Sequence, residues 1–184
     1  WDGYVNQPLY VQVSIYIIQK KKWMHLLKPL VKERSFSTVS FSNLEQLYRQ
    51  VIMDHYKNPR NKGLLQEDGY HEVHLKNPTC GDDITVQVKV EDGKIIDLRH
   101  EGTGCSICCS SASVMSQTLK EKTLDEAQHI TNNFYELVKG NEFDEDLDMG
   151  DAPVYQGVSK FPARVKCATI SWKAAEQAIN EIKK

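Results

Sequence analysis

The chain has no apolar run approaching the roughly 20 residues needed to cross a bilayer, so no membrane-spanning helix is expected. It also lacks an excess of charge of one sign. The formal net charge is -2, which gives no strong field for nucleic acid. There is no internal repeat and no low-complexity stretch. A clear secretory signal is missing, and the cysteine count is odd. The five cysteines are Cys80, Cys105, Cys108, Cys109 and Cys167. Both features argue against a disulfide framework and for a reducing, cytoplasmic setting in which thiols act as ligands or nucleophiles. What remains is a composition of 40% hydrophobic, 26% charged and 9% aromatic residues, that of a soluble globular protein. A chain of 184 residues accommodates one ordinary domain and a tail.

Charge divides the chain. Residues 1–41 hold six Lys/Arg against two Asp/Glu, whereas the rest is net acidic. Val11–Ile18 alternates like a strand, and Lys20, Lys21 and Lys22 follow it. With a single Arg and no cleavage pattern, the segment fits a targeting signal poorly. It is expected to be a poorly ordered extension outside the native domain.

Regular structure is expected from Ser42 onward. Ser42 and Glu45 fit a capping box, and Leu44, Leu47, Tyr48, Val51 and Ile52 keep helical spacing. Asn58-Pro59 ends that helix. Tyr70–Leu75 reads as a strand. Ile84–Val90 alternates strictly, Glu91-Asp92-Gly93-Lys94 makes a hairpin turn, and Ile95–His100 returns antiparallel. A helix is expected just after Gly104, running to about Lys120. Another begins at the Thr123/Glu126 capping box and stops at Gly140. Asn141–Pro153 reads as an acidic loop. Cys167 opens or just precedes a last amphipathic helix that turns Trp172, Ala175, Ile179 and Ile182 inward. The fold class is therefore α+β: a small antiparallel sheet of about three strands packed against several helices.

Three cysteines fall at element boundaries. Cys80 lies in Asn77-Pro78-Thr79-Cys80-Gly81-Asp82, a turn set by Pro78 and Gly81 that can aim a thiolate and a carboxylate at one metal ion. Cys105 follows Gly102-Thr103-Gly104 at a helix start, where free N–H groups and the dipole favour thiolate. Cys167 follows Phe161-Pro162-Ala163-Arg164-Val165-Lys166. Each cysteine alone also fits a plain structural role, in a turn or under a helix start. Together, three thiolates and Asp82 would give Zn²⁺ a tetrahedral set carrying surplus negative charge. Arg164 and Lys166 are placed to offset that charge.

The motifs NPTCGD, GTGCSI and FPARVKCATISW, in this order, closely resemble the three cysteine motifs of SufU-type proteins, relatives of the IscU scaffold, and LYRQVIMDHYKNPRNKG resembles the N-terminal signature of that family. The resemblance covers residues 42–184, read as one SufU-like zinc domain. It implies an IscU/SufU-like fold, with Cys80, Asp82, Cys105 and Cys167 as zinc ligands. It further implies Cys80 as the sulfur acceptor and Arg164 as a supporting basic residue near the metal. The implied activity is zinc-dependent sulfur transfer in iron–sulfur cluster assembly. Persulfide sulfur would come from a SufS-type cysteine desulfurase and pass to a downstream iron–sulfur scaffold complex. Two features favour the sulfurtransferase branch. Lys166 stands where scaffolds carry a His before the third cysteine, and the segment that includes Asn133–Asp151 is long. Cys108 and Cys109 depart from the family, which has Ser and another small or apolar residue there. They read as spare thiols, although Cys105 and Cys108 form a C-x-x-C. The alternatives are a scaffold that assembles a [2Fe–2S] cluster on the same ligands, and a zinc-stabilised binding module without chemistry. Within residues 1–41, QPLYVQVSIYI resembles the C-terminal region of cysteine desulfurases, which would make the tail read-through from a neighbouring gene.

Overall fold

The computed structural model describes residues 41–183, with side chains from residue 46. The expectations for the tail before Phe41, and for the Ser42 and Glu45 side chains, lie outside the described residues. By contact the chain divides into residues 1–47 and 48–184. Of the first unit only the opening of helix α1 (Phe41–Lys57) is described. The second holds everything else.

Three strands form an antiparallel meander: β1 (Tyr70–Asn77), β2 (Asp82–Glu91) and β3 (Lys94–Thr103). The hydrophobic members of β2 supply its inner face, with Ile84, Val86 and Val88 buried. Asp92 (φ 50°) and Gly93 (φ 73°) turn the chain between β2 and β3. Two successive positive φ values are the type I′ geometry that suits strand twist. Asn77 pairs with Asp82 across the β1–β2 turn, and Asp83 pairs with Thr103. The register therefore brings the Cys80 turn and the end of β3 to the same end of the sheet.

Helix α2 (Ser106–Leu119) leaves β3 directly and packs on it. Helix α3 (Leu124–Lys139) has both halves of its capping box, since Thr123 Oγ1 accepts from the Glu126 N–H and Glu126 accepts from the Thr123 N–H. It ends at Gly140 in the left-handed conformation. Helix α4 (Pro162–Ile182) packs on β1, β2 and α2. Phe134 of α3 stacks on Trp172 of α4 with ring centroids 4.1 Å apart, and Tyr155 meets Phe134 edge-on at 6.0 Å. Stacked and edge-on aromatic pairs add to the stabilisation from burial alone.

The serine-rich α2 is buried because its hydroxyls find partners. Trp172 Nε1 donates to Ser111 Oγ (3.0 Å), which donates to the Ala168 carbonyl (2.6 Å). Tyr155 donates to Ser110 (2.7 Å). Ser113 Oγ accepts from the Arg60 N–H (2.8 Å) and lies 2.8 Å from His55 Nδ1. His55 Nε2 in turn lies 3.1 Å from Asp151. Fully buried His55 thus ties α1 to α2 and to the acidic segment.

The acidic loop runs as expected as far as Asp151. A 3-10 helix, Ala152–Lys160, which the sequence did not announce, takes over from there and buries Val154, Tyr155 and Val158. One sequence expectation needs correction. Cys167 does not open the last helix. That helix begins at Pro162, whose fixed φ and missing N–H suit a first helical position, so Cys167 lies inside it.

Candidate metal centre

The chain reverses tightly at the β1–β2 turn. Gly81 there has φ 70°, a left-handed conformation that favours glycine. On either side of it, Cys80 is half-buried and Asp82 is 1% exposed. Cys167 reaches the same place from within α4. Donor atoms of Cys80, Asp82 and Cys167 all lie within 4.8 Å of one another. Both thiols face the Ala163 carbonyl, from Cys80 at 4.0 Å and from Cys167 at 3.7 Å.

The Asp82 carboxylate is held at both oxygens. Asn77 Nδ2 donates to Oδ2 (2.9 Å), and the Cys105 backbone N–H donates to Oδ1 (3.1 Å). Asn77 Nδ2 also lies 3.8 Å from Cys167 Sγ. Sequence reasoning missed Asn77, although it is the first residue of the NPTCGD motif. Cys105 is the N-cap of α2, as expected for a thiol at a helix start. Its sulfur is not one of the three converging donors, although its backbone holds Asp82. Gly104 keeps this corner open. A Cβ there would stand 2.7 Å from Asp82 Oδ1 and 3.1 Å from Cys108 Sγ.

Electrostatics mark the cluster as short of positive charge. Burial first, then hydrogen bonding with Cys80 and Asp82, pushes the Cys167 thiol above the ordinary thiol range. Arg164 is exposed on the first turn of α4. Hydrogen bonding to Cys167, followed by the charges of Cys105, Cys167 and Cys80, strengthens its hold on its proton. Lys166 is exposed beside it. One turn along α2, Cys108 is fully buried and its thiol is pushed up, chiefly by hydrogen bonding to Cys109. The same bond draws Cys109 down to about 7.

A three-stranded antiparallel meander with cysteines at its turn, at the helix start after β3 and in the last helix defines a class of small thiol-based metal proteins. The NifU-like N-terminal domain family model matches residues 47–168, and the chain belongs to that family. It is 50% identical over 138 residues to the zinc-dependent sulfurtransferase SufU of Bacillus subtilis, covering 75% of this chain and 92% of that one. It is 40% identical over 141 residues to the iron–sulfur cluster assembly scaffold protein IscU of Streptococcus pyogenes, covering 77% and 87%. Among solved structures, FiSufU of Fervidobacterium islandicum, described as a candidate iron–sulfur cluster assembly scaffold protein for the SUF system, matches at 33% identity with a TM-score of 0.63, over 73% of this chain and 98% of that one. The N-terminal part of a NifU-like protein from Brucella abortus, at 23% identity and a TM-score of 0.66, shares the fold over 76% of this chain and 96% of that one.

Proposed function

We propose that the chain is a zinc-dependent sulfurtransferase of iron–sulfur cluster assembly, which takes persulfide sulfur from a cysteine desulfurase onto Cys80. The observation that carries this reading is the placement of one half-buried thiol, on a turn, against a buried thiol and a buried carboxylate. The SufU relative supports the choice of activity, at 50% identity against 40% for the IscU relative.

The donor set fits zinc. With zinc–sulfur bonds near 2.3 Å, sulfurs around a tetrahedral ion lie roughly 3.8 Å apart, and the three converging donors need little adjustment to reach that spacing. Cys80, Asp82 and Cys167 would hold the ion, and the Cys105 side chain, at the start of α2 where its N–H already holds Asp82, would turn in as the fourth ligand. When bound, zinc supplies a redox-inert charge that keeps the thiols deprotonated and exchanges ligands readily.

The roles divide by burial. Asp82 and Cys167 are fixed from several directions and serve as anchors. Cys80 sits on a turn reachable by a partner. Its sulfur attacks the outer sulfur of the desulfurase persulfide. A new S–S bond forms on Cys80, the bond within the donor persulfide breaks, and the desulfurase cysteine leaves as thiolate. Arg164 and Lys166 balance the negative charge beside the reacting sulfurs. Residues 42–184 form the functional domain, cytoplasmic in setting, and a downstream iron–sulfur scaffold receives the sulfur.

Stimulation of desulfurase turnover tests the reading. Cys80→Ala abolishes it, whereas Cys108→Ala leaves it nearly intact. Undiminished stimulation by the Cys80 variant would remove the proposed acceptor.

A further inference from the structure

A cavity of about 330 Å³ opens at the end of β3, lined by Tyr56, Lys62, His100, Thr103, Gly104 and Cys109. Three groups with distinct chemistry line it. Cys109 is the remaining accessible thiol once the proposed ligands are set aside, because Cys108 is fully buried. The Cys109 thiol is hydrogen-bonded to Cys108 and lies 3.6 Å from the Gly104 carbonyl. Lys62 is half-exposed and holds a loose ion pair with Glu101 at 3.7 Å. His100 is 4% exposed, and its Nε2 lies 2.9 Å from the Arg60 carbonyl. A carbonyl only accepts, so Nε2 carries the proton. Burial keeps the ring neutral, which leaves Nδ1 a bare acceptor with no hydrogen-bond partner among the described residues.

A thiol, a cation and a ring nitrogen able to accept a hydrogen bond, all from residues that line one small cavity, suit one kind of ligand. That ligand carries an exchangeable sulfur, a carboxylate and an N–H donor. We propose that this cavity is an S-thiolation site, where Cys109 exchanges with the disulfide of a small amino-acid or peptide thiol. Lys62 pairs with the carboxylate, and His100 Nδ1 accepts from the ligand N–H. Deprotonated Cys109 attacks one sulfur of the disulfide. The Cys109–S bond forms, the S–S bond of the ligand breaks, and the second half leaves as a thiolate that takes up the proton Cys109 gave up. The disulfide is itself the oxidant, and a reducing thiol reverses the step. The Cys109 N–H bonds the Cys105 carbonyl (3.0 Å), so the adduct forms one helical turn from the proposed metal site. The inference stands apart from the role of Cys80.

The test uses the zinc-loaded full chain and two probes, L-cystine and cystamine, which share a disulfide but differ in the carboxylate. Peptide mapping by mass spectrometry is expected to find the cysteinyl group on Cys109 and to lose it in Cys109→Ser. Lys62→Glu is expected to slow modification by cystine about fivefold, the scale of one exposed charge pair, without slowing cystamine. Lys62 is a surface residue, so this variant leaves the core unchanged. Failure of cystine to modify Cys109 overturns the proposal. So does an equal response of cystine and cystamine to Lys62→Glu.

Discussion

Asp82 offers the sharpest separation between holding the fold and holding a metal. It is 1% exposed, and its two oxygens accept from Asn77 Nδ2 at 2.9 Å and from the Cys105 N–H at 3.1 Å. Asp82→Ala removes both acceptors and strands a buried amide and a helix-start N–H. Each hydrogen bond to a charged group is worth about 1.5–3 kcal/mol, and a stranded donor costs a similar amount. Partial rescue by water brings the expected loss for the metal-free protein to about 2–4 kcal/mol. Asp82→Asn keeps the shape. Its amide oxygen accepts from Cys105, and its amide nitrogen donates to a flipped Asn77, so about 1 kcal/mol or less is lost. Both substitutions remove the proposed charged oxygen ligand and are expected to weaken zinc. Urea denaturation of metal-free protein reads the first quantity, and competition with a zinc chromophore reads the second. The expected pattern is stability that falls only in Asp82→Ala and zinc affinity that falls in both. Equal metal-free stability for Asp82→Ala and the unaltered protein would refute the assigned hydrogen bonding. Unchanged zinc affinity in Asp82→Asn would remove Asp82 from the ligand set.

Other expectations concern the same frame. Cys167→Ala and Cys105→Ala lose zinc, and chelation lowers the melting temperature, because binding energy at such a site is largely folding energy; a melting curve indifferent to chelator counts against this. Gly104→Ala pushes a methyl group against Asp82 Oδ1 and is expected to weaken zinc binding more than it alters desulfurase affinity, as metal competition and half-saturation measurements would show. Asp97 receives hydrogen bonds from Lys120, Tyr70 and Arg99. Burial opposes its charge, but these partners together hold its carboxyl below the usual range. A depressed folded pKa adds stability above the unfolded value of about 4 and loses it as pH falls through the folded one. Asp97→Asn is therefore expected to cost about 1–2 kcal/mol at pH 7 and progressively less as pH falls below about 4, as read by denaturation at pH 7 and in a series of acid buffers. A chain beginning at Ser42 is expected to fold, bind zinc and accept sulfur like the full chain, and loss of activity would assign a role to residues 1–41.

The parts legible in the sequence were those with local signals. Thr123 and Glu126 announce α3, Asp92-Gly93 announces the hairpin, and the alternation of Ile84–Val90 announces β2. The 3-10 helix Ala152–Lys160 was not legible. Its buried Tyr155 is fixed by Ser110, 45 residues earlier, rather than by any periodicity of its own. Pro162 fits a loop and a first helical position equally well, so the sequence leaves the start of α4 open and the expected start falls too late, near Cys167. At the candidate site, residue types and motif order point to Cys80, Asp82, Cys105 and Cys167, and the donor atoms of Cys80, Asp82 and Cys167 are the three that converge. The hold of Asn77 on Asp82 follows from strand register, and the His55–Ser113–Asp151 chain spans three separate segments. Neither leaves a local pattern.

The central claim is that sulfur lands on Cys80. Mass spectrometry of the zinc-loaded protein, after incubation with a cysteine desulfurase and cysteine, tests it most directly. The account predicts one added sulfur mapped to Cys80, dependent on zinc and absent in Cys80→Ala. A persulfide on Cys105 or Cys108, with Cys80 unmodified, would contradict it.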